Sequence, residues 1–214
     1  MADKTVLSKD EVDFLKEMVN IGVGNAVTAL SQLLHYPVDL KVPAVYSLTL
    51  TTVSSILDEP ALPVVCVKMD MVGSVNGEVF FIVSEKDKDV LVRAAEKAMF
   101  GAVKKGALDL SVLEEIGNIM AGVYLTAIHD FCKLNIYHTV PSLRTDMLQS
   151  LLDELLINMG RQAESFIVVE SEFTIAIESE IAVQGEKIRT FLLMIPSVES
   201  VKKLVDSVKG AMPR

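Results

Sequence analysis

A polar strip that occurs twice, 98 residues apart, constrains this chain more than any other feature. The first copy is Asp13-x-x-x-Glu17-x-x-Asn20 and the second is Ser111-x-x-x-Glu115-x-x-Asn118. Residues at i, i+4 and i+7 stack on one side of an α-helix. Each copy therefore sets a small oxygen-bearing side chain, a carboxylate and a carboxamide in a single row. Both rows lie in mostly apolar segments, so the chain must build two long helices that bury most of their girth.

The first helix is predicted to start near Ser8, where Ser8-x-x-Glu11 has the form of a capping box, and to run toward Leu34. Val12, Leu15, Val19, Ala26, Leu30 and Leu33 are its expected core contacts. Phe14, Met18 and Ile21 extend that buried arc and leave Asp13, Glu17 and Asn20 outside. Pro37 ends the pattern. Val42 to Thr52 reads as a strand interrupted by Pro43, and Val53 to Leu57 as a short helix. Val64 to Val75 and Glu78 to Val83 read as strands joined through Asn76-Gly77, a strong hairpin signal. A helix over Glu85 to Met99, closed near Gly101, completes the first half.

The second half repeats this order. A helix from about Asp109 to Cys132 carries the second strip, with either Asp109 or a Ser111-x-x-Glu114 box as its cap. Pro141 follows Pro43 by the same 98 residues. A longer helix, roughly Thr145 to Met159 and closed by Gly160, is expected next. Leu148, Leu151, Leu152, Leu155 and Leu156 give it an apolar face that is either buried or open to a partner. Strands over Phe166 to Ile177 and Lys187 to Ile195 and a helix over Ser197 to Val208 follow. Phe80-Phe81-Ile82-Val83 and Phe191-Leu192-Leu193-Met194 are matching apolar runs.

The order implies an α/β protein of the α+β type. Pseudo-two-fold duplicated helix-plus-antiparallel-strand units share a mixed, largely antiparallel sheet, and the two motif-bearing helices are adjacent. The link Lys104-Lys105-Gly106 is short for a tether, and each half alone would expose sheet edges. One domain over 1–214 is expected, with internal repeats at about 8–103 and 107–212.

A formal charge of -9 with no Lys/Arg cluster argues against nucleic acid. No run reaches the 18 apolar residues of a membrane span, and the charged MADKTVLSKDE start is unlike a secretory signal. A cytoplasmic protein is expected. Cys66 and Cys132 lack pair spacing and histidine companions, so reduced, partly buried thiols are expected instead of a disulfide or zinc site. His35, His129 and His138 have no ligand spacing, and no hydrolase constellation or phosphate loop is present. Gly22, Gly24, Gly117 and Gly122 interrupt good helices, which suits close approach of another helix or a partner.

Asparagine offers both a carbonyl acceptor and an amide donor, so it can hold a water and touch a phosphoryl oxygen together. It is no strong base and can act only by position. Glutamate one turn earlier can accept charge-assisted hydrogen bonds from a lysine or arginine. Such a strip is ordinarily the wet face of a helix, and duplication can copy a surface passively. Repetition of the same residues at the same phase favours a working face.

At these residues the chain resembles the CheC/CheX/FliY family of chemotaxis phosphatases. The family motif, Asp or Ser, three residues, Glu, two residues, Asn, stands here as DFLKEMVNIGVGNAVTALSQLL from Asp13 and as SVLEEIGNIMAG from Ser111. Two copies fit the CheC branch, since CheX carries one, and a FliY-type chain would need further segments for which 214 residues leave no room. The resemblance covers almost the whole chain and implies dephosphorylation of phosphorylated CheY. The partner would bring the aspartyl phosphate and Mg2+, with no cofactor intrinsic to this chain. Asn20 or Asn118 would orient the attacking water, and Glu17 or Glu115 would engage the regulator's active-site lysine, with Asp13 and Ser111 in support. The resemblance also allows a partnership with CheD and a monomeric state. A noncatalytic adaptor for the regulator or CheD, or a structural part of the flagellar switch, is the alternative.

Overall fold

In the computed structural model of the chain, the described residues are 7–41, 43–48, 61–102, 109–160, 166–176 and 187–211. Helix α1 spans Lys9–Leu34. Its N-terminus is the capping box that the sequence announces. The Ser8 hydroxyl accepts the Glu11 N–H at 3.3 Å, and the Glu11 carboxylate accepts the Ser8 N–H at 2.8 Å. His35 closes the helix in the left-handed region at φ 57. Strands β1 (Val38–Leu40), β2 (Ala44–Leu48), β3 (Pro63–Gly73) and β4 (Gly77–Ser84) and helix α2 (Lys88–Phe100) follow. The second pass gives α3 (Ser111–Cys132), β5 (Ile136–His138), β6 (Ser142–Met147), α4 (Leu148–Gly160), β7 (Phe166–Ala176), β8 (Lys187–Pro196) and α5 (Val198–Ala211).

The strands form one eight-stranded sheet whose spine runs β1-β7-β8-β4-β3-β5, with β2 also on β7 and β6 also on β3. The two apolar runs noted in the sequence meet at its centre, where Phe80 pairs with Leu193, Phe81 with Leu192 and Ile82 with Phe191. Outward from that pair the halves interlock. The second half supplies β5 and β6 to β3, and the first half supplies β1 and β2 to β7. A pseudo-two-fold therefore relates β4 to β8 and β3 to β7. Every ladder among the described residues is antiparallel, so the sheet is simpler than the mixed one expected. At the β3–β4 hairpin Gly77 has φ 152, and a Cβ there would lie 2.3 Å from the Ile195 carbonyl oxygen. Glycine is what lets β8 close on this turn.

Alternation along β3 decides the layers. Val65, Val67, Met69 and Met71 enter the large core under α1, α2, α3 and α5. Val64 and Cys66 point the other way, into a smaller cluster with Phe80, Ile82, Leu193, Ile195 and Leu148, Leu151 and Leu152 of α4. The leucine face of α4 is thus buried where its side chains are described; those of Leu155 and Leu156 lie outside the described set. Helix α4 starts at Leu148 and not near Thr145. Residues Ser142–Met147 are instead drawn into β6 by the open edge of β3, with Leu143 opposite Val67 and Thr145 opposite Val65. The short helix expected over Val53 to Leu57 and the end of the strand expected to Thr52 also fall outside the described residues. Among the described residues no helix is long and apolar enough to cross a membrane.

The two motif helices touch each other, and glycines set how closely they pack. A Cβ on Gly22 of α1 would lie 2.8 Å from the Tyr124 ring of α3, which is itself buried and donates its hydroxyl to the Met194 sulfur at 3.6 Å. A Cβ on Gly117 would lie 2.8 Å from Val67, so this glycine lets α3 down onto β3. At Gly24, by contrast, a Cβ would meet nothing within 4 Å. Gly22→Ala is expected to lower stability by about 1–3 kcal/mol through overpacking, whereas Gly24→Ala should raise it by up to ~1 kcal/mol through helix propensity. Urea denaturation of the two variants measures both signs.

Candidate functional site

Burial on the sheet side leaves each strip where the core cannot take it. Along α1, Leu15, Met18, Val19, Gly22 and Val23 are buried, while Asp13, Glu17 and Asn20 are exposed. Along α3, Val112, Leu113, Ile116, Gly117 and Met120 are buried, Ser111 and Glu115 are exposed, and Asn118 is half-buried. The side chains of Glu17, Asn20, Glu115 and Asn118 make no hydrogen bond or ion pair with other described residues. Asp13 has Lys16 at 3.9 Å, an exposed i,i+3 pair with little hold on either side chain.

Ile21 departs from the buried arc expected of it: it is 36% exposed, beside Asn20 on the outer face. The hydrophobic side chain suggested burial, but with Met18, Val19, Gly22 and Val23 facing inward, position 21 falls on the outer side of α1. The start of α3 differs from both expected caps. The Asp109 carboxylate accepts both the Ser111 N–H, at 3.2 Å, and the Ser111 hydroxyl. The residue that precedes the helix is Leu110, which offers no side-chain cap, and neither expected cap takes that position; Asp109, one residue earlier, instead holds Ser111. Ser111 is less free than Asp13, its counterpart.

Among the described residues no group of three His, Cys, Asp or Glu side chains is placed to hold a metal ion. The histidines serve the backbone: His129 Nδ1 lies 2.7 Å from the Leu134 carbonyl and His138 Nδ1 lies 3.0 Å from that of Thr139. Sequence reasoning missed a charged cluster on the opposite face of the sheet. There Arg144 of β6 grips Glu154 of α4 with two bonds of 3.0 and 2.9 Å, and Lys68 of β3 reaches Glu78 of β4 at 3.0 Å. They line a small pocket with Cys66, Phe80 and Leu151. Arg144 holds the Glu154 carboxyl below its ordinary value. The charges are matched in pairs, which reads as a clamp of α4 on the sheet.

The comparisons with known proteins agree with one another. The sequence model of the CheC-like family matches residues 11–47 and 108–144, the two segments that hold the strips. A protein of Bacillus subtilis (strain 168) named CheY-P phosphatase CheC is 29% identical over 205 residues, covering 92% of this chain and 93% of the relative. The flagellar motor switch phosphatase FliY of the same bacterium is 24% identical over 211 residues; this chain spans about half of it, 51%. The crystal structure of Thermotoga maritima FliY superposes with a TM-score of 0.73 at 22% identity, covering 97% of this chain and 100% of that one. That likeness speaks for the fold.

Both thiols are buried and free. Burial pushes the Cys66 thiol up to about 12, against the pull of Arg144 and Lys68, and burial raises Cys132 as well. Burial thus keeps the Cys66 thiol protonated and covered at pH 8, which suits a core side chain and not a nucleophile. With a disulfide reagent at pH 8, the native protein should leave Cys66 unlabelled for as long as it stays folded. The guanidinium-unfolded chain should titrate both thiols at once.

Proposed function

The chain belongs to the CheC-like family, a family of chemotaxis phosphatases, and from that premise we propose that it hydrolyses the aspartyl phosphate of a phosphorylated CheY-type response regulator. The observation that carries the reading is a carboxamide one turn from a carboxylate, neither engaged by another described residue, on the outer face of a packed helix, at two places. In this reading the regulator brings the aspartyl phosphate and the Mg2+ that neutralises it. The chain contributes what a receiver site lacks, a group that fixes a water in line with the P–O bond to be broken.

Asn20, or Asn118, enters the regulator's site. Its carbonyl accepts a hydrogen bond from the water and its NH2 donates to a phosphoryl oxygen. The water oxygen bonds to phosphorus, the aspartyl oxygen departs as a carboxylate, and the water's proton ends on the released phosphate. No covalent intermediate forms on this chain. Glu17, or Glu115, accepts a charge-assisted hydrogen bond from the regulator's active-site lysine and holds the helix in register. Asp13 and Ser111 sit one turn further back, where they flank the docked surface.

The two faces are not equivalent. Asn20 is exposed and Asn118 half-buried, and Ser111 is tied to Asp109. Regulator-phosphate decay with Asn20→Ala, Asn118→Ala and the double variant tests the reading, with regulator binding measured alongside. Asn20→Ala should remove the larger share of the acceleration. The double variant should lose at least about a hundredfold while still binding the regulator through its glutamates. Undiminished acceleration by the double variant overturns the mechanism, and binding by the parent protein without faster decay makes the chain an adaptor instead.

A further inference from the structure

The likeness between α1 and α3 is distributed in an unexpected way. At the 98-residue offset eight positions are buried in both helices, and only Leu15 and Leu113 match; the other seven have diverged, among them Met18 against Ile116, Val19 against Gly117, Gly22 against Met120, Val23 against Ala121 and Ala26 against Tyr124. On the outer face five positions carry the same residue: Glu17 and Glu115, Asn20 and Asn118, Ile21 and Ile119, Gly24 and Gly122, Thr28 and Thr126. None of these ten side chains is fully buried. Packing explains divergence inside, because each helix meets a different partner there. It gives no reason for sameness outside.

Three of the five pairs lie beyond the glutamate and asparagine, over the next two turns. Ile21 is a β-branched, 36% exposed side chain where a polar one would solvate the helix better. Gly24 weakens the helix with no packing return, since a Cβ there would meet nothing within 4 Å. The Thr28 hydroxyl donates to the Gly24 carbonyl oxygen at 2.9 Å and so closes off that polar group. The outcome is a strip about 12 Å long from Asn20 to Thr28, uncharged, apolar at one end and flat at the middle.

We propose that Ile21, Gly24 and Thr28, and in second place Ile119, Gly122 and Thr126, form the docking ridge that determines affinity for the regulator. The proposal rests on the phosphatase reading above and adds to it which surface of the partner is recognised. The ridge fits an uncharged, apolar surface beside the phosphoaspartate. Ile21 enters a contact next to the amide, and Gly24 allows the partner's backbone to approach the helix. Ile21 and Gly24 are specificity-determining residues and take no part in the phosphoryl chemistry. The α3 ridge is the narrower one. Ile119 and Gly122 are half-buried, and a Cβ on Gly122 would lie 3.4 Å from His138 Nε2.

The test uses the full chain with Asn118→Ala to silence the second face, and then adds Ile21→Ala or Gly24→Gln. Initial rates of phosphate loss are measured over a range of phosphorylated-regulator concentrations. Each added substitution should raise KM about tenfold and leave kcat within about twofold. Gly24→Gln should melt no lower than its parent, since glutamine is the better helix former, which separates lost docking from lost fold. Unchanged KM in both variants, or a kcat that falls at constant KM, overturns the ridge. Binding of the regulator loaded with beryllofluoride gives a readout without turnover. If the parent protein binds but never accelerates decay, the phosphatase reading fails, and weaker binding by the two variants still supports the ridge while undiminished binding overturns it.

Discussion

Gly22 against the Tyr124 ring, and Gly117 against Val67, are contacts that no larger residue could make without displacing a buried neighbour. They fix the depth at which the two long helices sit and, with it, the rotation of each helix about its axis. At 100° per residue, a small rotation changes which side chains meet solvent. Glu17 and Asn20 are presented outward because Met18, Val19, Gly22 and Val23 are committed inward. A helix held this way carries the amide on a fixed backbone, which the positional role proposed for the asparagines would need.

That rigidity is borrowed from the sheet. Each half places its short strands on the other half's ladder: β5 and β6 on β3, β1 and β2 on β7. The central ladder pairs β4 with β8, strands more than 100 residues apart in the chain. Neither half can complete its sheet alone, so the two strips are referred to one common frame. Such pairings close late and at an entropic cost, and contacts of this range slow folding.

Local signals in the sequence predicted what local physics controls. The Ser8 capping box, the Asn76-Gly77 hairpin, the Gly101 helix end and the paired apolar runs were all legible, because a few neighbouring residues settle them. Strands β1 and β5 were not; three residues carry no alternation, and their existence depends on ladders offered from the far half. The same holds for β6, where an open edge outweighed the apolar pattern that continued α4 backwards through Met147. Ile21 was misplaced because hydrophobicity was read as burial, whereas helix rotation is a tertiary property. The outward placing of Asp13, Glu17 and Asn20 was legible from helix periodicity, and that of Ile21 was not.

Most active sites are concave because burial is what tunes a proton-transfer group. This chain shows what burial does where it occurs: Cys66 and Tyr124 are both pushed far above their ordinary values by desolvation. A carboxamide has nothing to tune. It does not titrate, so it loses nothing by standing on a convex helix in water, and the concavity and low dielectric can be supplied by the partner on docking. On the proposed reading, that division of labour would let an exposed Glu and Asn act with no metal-binding cluster beside them among the described residues. It also makes affinity for the partner the natural place for selectivity to reside, and an uncharged ridge repeated beside both amides is the kind of surface such a division calls for.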